Sequence, residues 1–127
     1  MRLITVLLLG SLLSTPALAQ TAPQYHELSP AFVGVLAGSG ARIQYLKADV
    51  ALRINDPAAL ARVQYHDPLI RNELVSLFGQ QTRETLDSLE GKEALRATAL
   101  ERVRAVLESE EGQPLVDDLL FTNLITQ

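Results

Sequence analysis

Any chemistry in this chain must come from two histidines, its carboxylates and its arginines, because it contains no cysteine. A metal site is hard to assemble from that set. His26 and His66 are far apart, and neither belongs to a His-x₃-His pair or an acid-rich cage. His66, beside Asp67 at a helix boundary, reads as a surface or capping residue. Nucleophilic catalysis lacks a thiol, and no serine sits in a Gly-x-Ser-x-Gly elbow. Carboxylates are paired at Glu110–Glu111 and Asp117–Asp118. Adjacent acids on an exposed turn both ionise, whereas acid–base catalysis needs surroundings that drive two pKa values apart. Gly38-Ser39-Gly40 has neither a third glycine at phosphate-loop spacing nor a Gly-Lys-Ser/Thr sequence, so it reads as a turn. No catalytic, cofactor-binding or metal-binding residue is predicted, no small-molecule substrate is implied, and a binding role is left.

The charge balance narrows the partners. With 127 residues the chain is expected to hold one domain. It has 11 basic and 15 acidic residues, a net charge of −4, or −5 without Arg2. Nucleic acid is disfavoured, since phosphate binding needs a cationic surface or patch. The acids gather late, at Glu108, Glu110, Glu111, Asp117 and Asp118, as in a solvated turn between two elements. A docking site for a basic partner is the alternative. The absence of cysteine means that no disulfide framework supports the core, which about a hundred residues can build unaided.

The N-terminal segment has the form of a secretory signal. Arg2 supplies the positive start, Leu3 to Leu13 carries no charge, and Ala17-Leu18-Ala19 offers a small-x-small cleavage site before Gln20. The competing reading is a short membrane anchor, since Leu3 to Ala19 lies at the lower limit for spanning a bilayer. Residues 1–19 are thus a signal peptide or anchor, residues 20–42 a leader or linker, and residues 43–127 the folded domain.

The elements that would position functional groups follow from periodicity. Ala31–Leu36 suits a short strand that Gly34 weakens. Ile43–Ile54 alternates, with Leu46, Ala48, Val50, Leu52 and Ile54 on one face and Lys47, Asp49 and Arg53 on the other, as in a half-buried strand. Asp56-Pro57 and Asp67-Pro68 each read as an N-cap followed by proline in the first helical turn. The second of these helices carries Ile70, Leu74, Leu77, Phe78 and Gln81 on one face. Thr82–Leu89 is a helical turn or a short strand, and Glu90-Gly91 breaks the pattern. From Lys92 to about Glu110 a stripe of Leu95, Ala99, Val103, Val106 and Leu107 predicts a long helix. Glu93–Arg96 and Glu101–Arg104 are expected to pair on its wet side, and Arg71 to pair with an acid such as Glu73. Leu115–Thr126 reads as the closing strand, with Phe121 in the core. The fold class is α+β: a small antiparallel sheet packed by about three helices.

Three signatures in this order and spacing resemble a known family. They are Asp67-Pro68-Leu69-Ile70-Arg71, Glu90-Gly91-Lys92-Glu93-Ala94-Leu95-Arg96, and Leu120-Phe121-Thr122 running on to Gln127. Together they are similar to FliL, the flagellar basal body-associated family. The resemblance spans about Ile43 to Gln127 and implies a periplasmic domain with a fold like the SPFH (stomatin/prohibitin) domain, which assembles into rings. It implies a non-enzymatic motor accessory beside the stator units that supports torque, swimming and chemotactic motility. The implied partners are stator and basal-body proteins and further copies of the chain. Arg71, Lys92, Arg96 and Arg104 become candidate partner or ring contacts. The chain departs from the family at Arg104, where an asparagine is usual, and in its short N-terminal apolar run in place of a cytoplasmic tail and longer anchor. The implied location is the periplasmic face of the inner membrane, soluble if the leader is cleaved and single-pass if not. Membrane association would then run at most through that segment. The alternative is a periplasmic SPFH-like adaptor for another envelope complex.

Intact-mass measurement on a periplasmic extract is expected to give a chain starting at Gln20. Full-length protein confined to the membrane fraction would identify an anchor instead.

Overall fold

A computed structural model describes residues 22–38 and 40–127. The predicted signal segment and its Ala19–Gln20 junction lie outside the described residues. Three antiparallel strands form one sheet in the order β1-β2-β3, with β1 at Gln24–Val35, β2 at Tyr45–Ile54 and β3 at Asp118–Thr126. Between β2 and β3 the chain makes a 3-10 turn (Pro57–Ala59) and four helices: α1 (Leu60–Tyr65), α2 (Asp67–Phe78), α3 (Arg83–Leu86) and α4 (Leu89–Glu111). The α+β class stands.

The core lies between the helices and one face of the sheet. β2 behaves as its alternation demands: Leu46, Ala48, Val50, Leu52 and Ile54 are all buried, while Tyr45 and Lys47 are exposed. β1 contributes Leu28 and Phe32, followed by Leu36 just past its end, and β3 contributes Leu119. Opposite them stand Ile70, Leu74, Leu77 and Phe78 of α2 and Leu95, Ala99, Val103 and Leu107 of α4. Val106 is only half-buried. Phe121 packs against the core from a half-buried position, 6.0 Å from the Phe78 ring.

β1 is longer than its local composition suggests. Residues read as a linker, from Gln24 to Leu28, pair with β2 from Ile54 down to Val50. Pro30 interrupts a sequence-based reading because it cannot donate to a ladder. Here it sits in a register shift between Leu28 and Phe32 on an edge strand, where a missing N–H costs no pairing. At the other end, β3 starts at Asp118 rather than Leu115. Leu115 has φ +51, a left-handed turn that sequence propensity does not reveal.

The helix starts are part confirmed, part corrected. Asp56 caps the 3-10 turn, accepting from the Ala58 N–H at 3.0 Å. Asp67 does not cap α2. His66 occupies the cap position without a side-chain bond, and Asp67 is already in the first turn. Its carboxylate meets His26 Nε2 at 2.8 Å instead. The physical reason is that α1 runs almost directly into α2. His66 closes α1 and opens α2 at once, which leaves Asp67 already inside the first turn rather than at the cap.

Glu90-Gly91 does not break the long helix. α4 begins at Leu89, capped by Ser88, whose Oγ accepts from the Gly91 N–H at 2.9 Å. Thr82 and Thr85 form a reciprocal capping box on α3, which settles Thr82–Leu89 as a helical turn. Gly91 is needed for space rather than flexibility. A Cβ there would lie 1.7 Å from the Thr85 carbonyl oxygen. A Gly112 residue with φ +75 ends α4, its N–H bonded to the Glu108 carbonyl at 2.9 Å.

Gly→Ala inside a helix normally stabilises by up to about 1 kcal/mol. Gly91→Ala is expected to do the reverse and cost about 1–3 kcal/mol, because backbone must move to admit the methyl. A urea denaturation midpoint at or above wild type would show that the α3–α4 corner yields freely.

Candidate binding surface

Most of the polar groups singled out in the sequence bind the molecule to itself. Arg71, expected to pair with Glu73, instead reaches from α2 to the rim of the sheet. Its Nη2 donates to the Ala31 carbonyl at 3.3 Å and its guanidinium stands 4.3 Å from the Phe32 ring centre. Glu73 faces Arg102 at 3.7 Å. Arg96 holds Glu93, as its spacing predicts, and also reaches Asp118 at 2.7 Å and the Leu119 carbonyl at 3.3 Å. The Glu93 carboxylate, with Asp118 behind it, pushes the Arg96 pKa further up. Arg104 does not take Glu101. It donates to the Val116 carbonyl, closing α4 onto the chain that enters β3. The sequence reads these arginines by their neighbours in helical register, and a register argument cannot see a carbonyl on a distant strand. Lys92 is exposed and makes no ion pair among the described residues.

Of the late acids, Glu108 and Glu110 are exposed as expected, but the other three are tied into the fold. Asp117 accepts from the Asn55 N–H at 2.7 Å, and Asp118 takes Arg96. Glu111, at the end of α4, is bonded by Arg62 Nε and by His66 Nε2, both at 2.6 Å from Oε1. His66 is only 5% exposed, so the expected surface histidine is a buried one. Its backbone N–H closes α1 while its side chain locks α1 and α2 to α4. Arg62 first and His66 second hold the Glu111 carboxyl below the ordinary carboxylate range. The contact lies between residues 62–66 and 111, a separation that no local pattern reports. Among the described residues no group of three histidine or acidic side chains is placed to hold a metal ion.

One open apolar surface lies at a rim of the sheet. Between β1 and α2 runs a groove of about 420 Å³, lined by Phe32, Val33, Val35, Arg71, Val75 and Phe78 among others. Val33, Val35 and Val75 are 70%, 52% and 55% exposed. Sequence reasoning missed this surface, although a signal was present: no charged residue occurs between Glu27 and Arg42. Such a run on an edge strand lacks the charges that commonly guard it. The three sequence signatures now have physical roles. The first opens α2 and supplies Arg71, the second carries Gly91 and Arg96, and the third lies in β3, whose following Gln127 exchanges backbone bonds with Tyr45. They fix helices to the sheet, which is packing rather than chemistry.

Comparison with known proteins accords with this reading. The family model described as Flagellar basal body-associated protein FliL matches residues 25–127. The match therefore takes in nearly all of β1, including most of the segment read as a linker. Among curated proteins, the Flagellar protein FliL of Aquifex aeolicus (strain VF5) is 28% identical over 102 residues, which is 80% of this chain. The match spans 60% of that relative's length. Among the described residues no helix is long and apolar enough to cross a membrane.

If Glu111 stabilises the fold as an ionised group, its loss has a defined pH signature. A depressed folded-state pKa contributes stability above the unfolded value, and that contribution fades as pH falls through the folded value. Glu111→Gln is expected to be less stable than wild type at pH 7, and the gap to close below roughly pH 4. Denaturation midpoints across that range check it. A gap independent of pH would mean that Glu111 acts only by shape.

Proposed function

The chain belongs to the FliL family of flagellar basal body-associated proteins, and from there we propose that it serves as a stator-associated accessory of the flagellar motor. In this reading it sits at the periplasmic face of the inner membrane and supports torque, swimming and chemotactic motility without chemistry of its own. The observation that carries it is the extent of the match, residues 25–127, which takes in almost the whole described fold. The internal use of the polar residues supports the same view, because it leaves surface shape as the means of action. Assembly into a ring of copies with an SPFH-like domain is part of the proposal, as is a mature chain starting at Gln20.

The four basic residues named from the sequence divide under this proposal. Arg71, Arg96 and Arg104 act first as internal ties. Lys92 is the one whose charge can be reversed without cutting a hydrogen bond within the described fold. Rim charges mainly affect association rather than folding.

A clean deletion is expected to slow swimming, most visibly in viscous medium, while filaments still assemble. Lys92→Glu is expected to restore less speed than wild type at equal abundance. Wild-type speed of the deletion strain in both media, in a background with no second family copy, would discard the motor role in favour of an adaptor in another envelope complex. Full rescue by Lys92→Glu would remove only the claim about that residue.

A further inference from the structure

We propose that the open half of β1 is a docking edge for an extended segment of a partner protein, which adds as a fourth strand and places an acidic side chain at Arg71. The inference rests on the binding role above but not on the identity of the flagellar partner. It starts from the ladder. The Leu36 N–H donates to the Gln44 carbonyl at 2.8 Å, so residues of its parity in this half of β1 face β2. Ala31, Val33, Val35 and Ala37 therefore face away. The outer two are already satisfied: Arg71 takes the Ala31 carbonyl, and the Ala37 N–H donates to the Gln81 carbonyl at 2.8 Å. By that parity the backbone groups of Val33 and Val35, between them, point out of the β1–β2 ladder, and among the described residues no bond from outside the ladder reaches them. Pro30 and the register shift end the free stretch on one side.

The opposite edge of the sheet is treated differently. There Arg96 and Arg104 donate to the Leu119 and Val116 carbonyls, so α4 covers part of the rim. At β1 the groove is left open and one polar atom is left over. Arg71 Nη1 is buried without a hydrogen-bond partner. Such a donor costs stability until an acceptor meets it. The chemistry of the occupant follows. Successive side chains of an added strand point to opposite sides. Two alternate positions would enter the groove, one apolar against Val75 and Phe78 and one acidic at Arg71. The position between them would lie beside Val33 and Val35 on the uncovered face of the sheet. A second copy of this chain pairing edge to edge does not meet the requirement. The residues brought opposite Ala31 would come from positions 35–40, which contain no acid.

The test uses purified protein and random twelve-residue peptides displayed on phage. Two variants block strand addition without touching the β1–β2 ladder. Val33→Pro removes an outward N–H, and Val33→Lys keeps it but sets a charge at the edge. Selected peptides are expected to share an apolar-x-acid pattern. They are expected to bind wild type at least about ten-fold more tightly than either variant, a difference of about 1.4 kcal/mol. Changing the peptide's acid to its amide is expected to weaken binding by a similar factor. No enrichment over an unrelated protein, or binding indifferent to both variants, would overturn the proposal. So would sedimentation of wild type as a dimer that Val33→Lys converts to monomer, since the edge would then belong to a second copy. Swimming does not enter the readout, so failure here leaves the motor assignment standing, and failure there leaves this one.

Discussion

One face of β2 carries the fold. It is the central strand, it pairs along its length with both neighbours, and its five inward residues are all buried. The four larger ones, Leu46, Val50, Leu52 and Ile54, are each worth about 1.5–3 kcal/mol when fully buried. The helices that cover it are mostly too short to hold themselves. α1 has six residues and α3 four, far below the length at which an isolated helix persists. Their order depends on the surface that β2 offers, on caps such as Thr82 and Ser88, and on the pinch at Gly91. A three-stranded sheet covered on one side also leaves the other side and both rims exposed, and the polar contacts of the molecule answer that consequence.

What the sequence made legible is what local period encodes. The β2 alternation and the apolar stripes of α2 and α4 are patterns within one element. What it hid was set by distance. The first half of β1 looks like a linker because Pro30, Ser29 and His26 are poor strand residues. His26 is held there by Leu52 of the partner strand, and Ser29 and Pro30 are accommodated in the register shift that follows. His66 looks exposed because nothing beside it in the chain is apolar enough to bury it. Once buried, its ring is satisfied by Glu111, reached through the fold. Asp67-Pro68 has the form of a cap, and only the near-continuity of α1 with α2 takes that role away.

The arginines show the same division with more consequence. Read by register, Arg71 and Arg104 are solvated partners of Glu73 and Glu101, and surface pairs of that kind contribute little. In the fold they are donors to main-chain carbonyls at the margins of the sheet, and so is one arm of Arg96. The residues by which the chain resembles its family thus report how helices are fastened to strands. They explain how a family can be recognised from residues that serve packing.

The proposed accessory role rests on where the protein sits and what it touches. The account therefore depends above all on its being found at the motor. The most direct measurement is immunogold labelling of isolated hook–basal bodies with antibody raised against the native protein, using a deletion strain as control. Gold clustered at the base of the hook–basal body in wild type and absent from the deletion is the predicted result. Gold absent from basal bodies and spread evenly over envelope fragments would contradict the account.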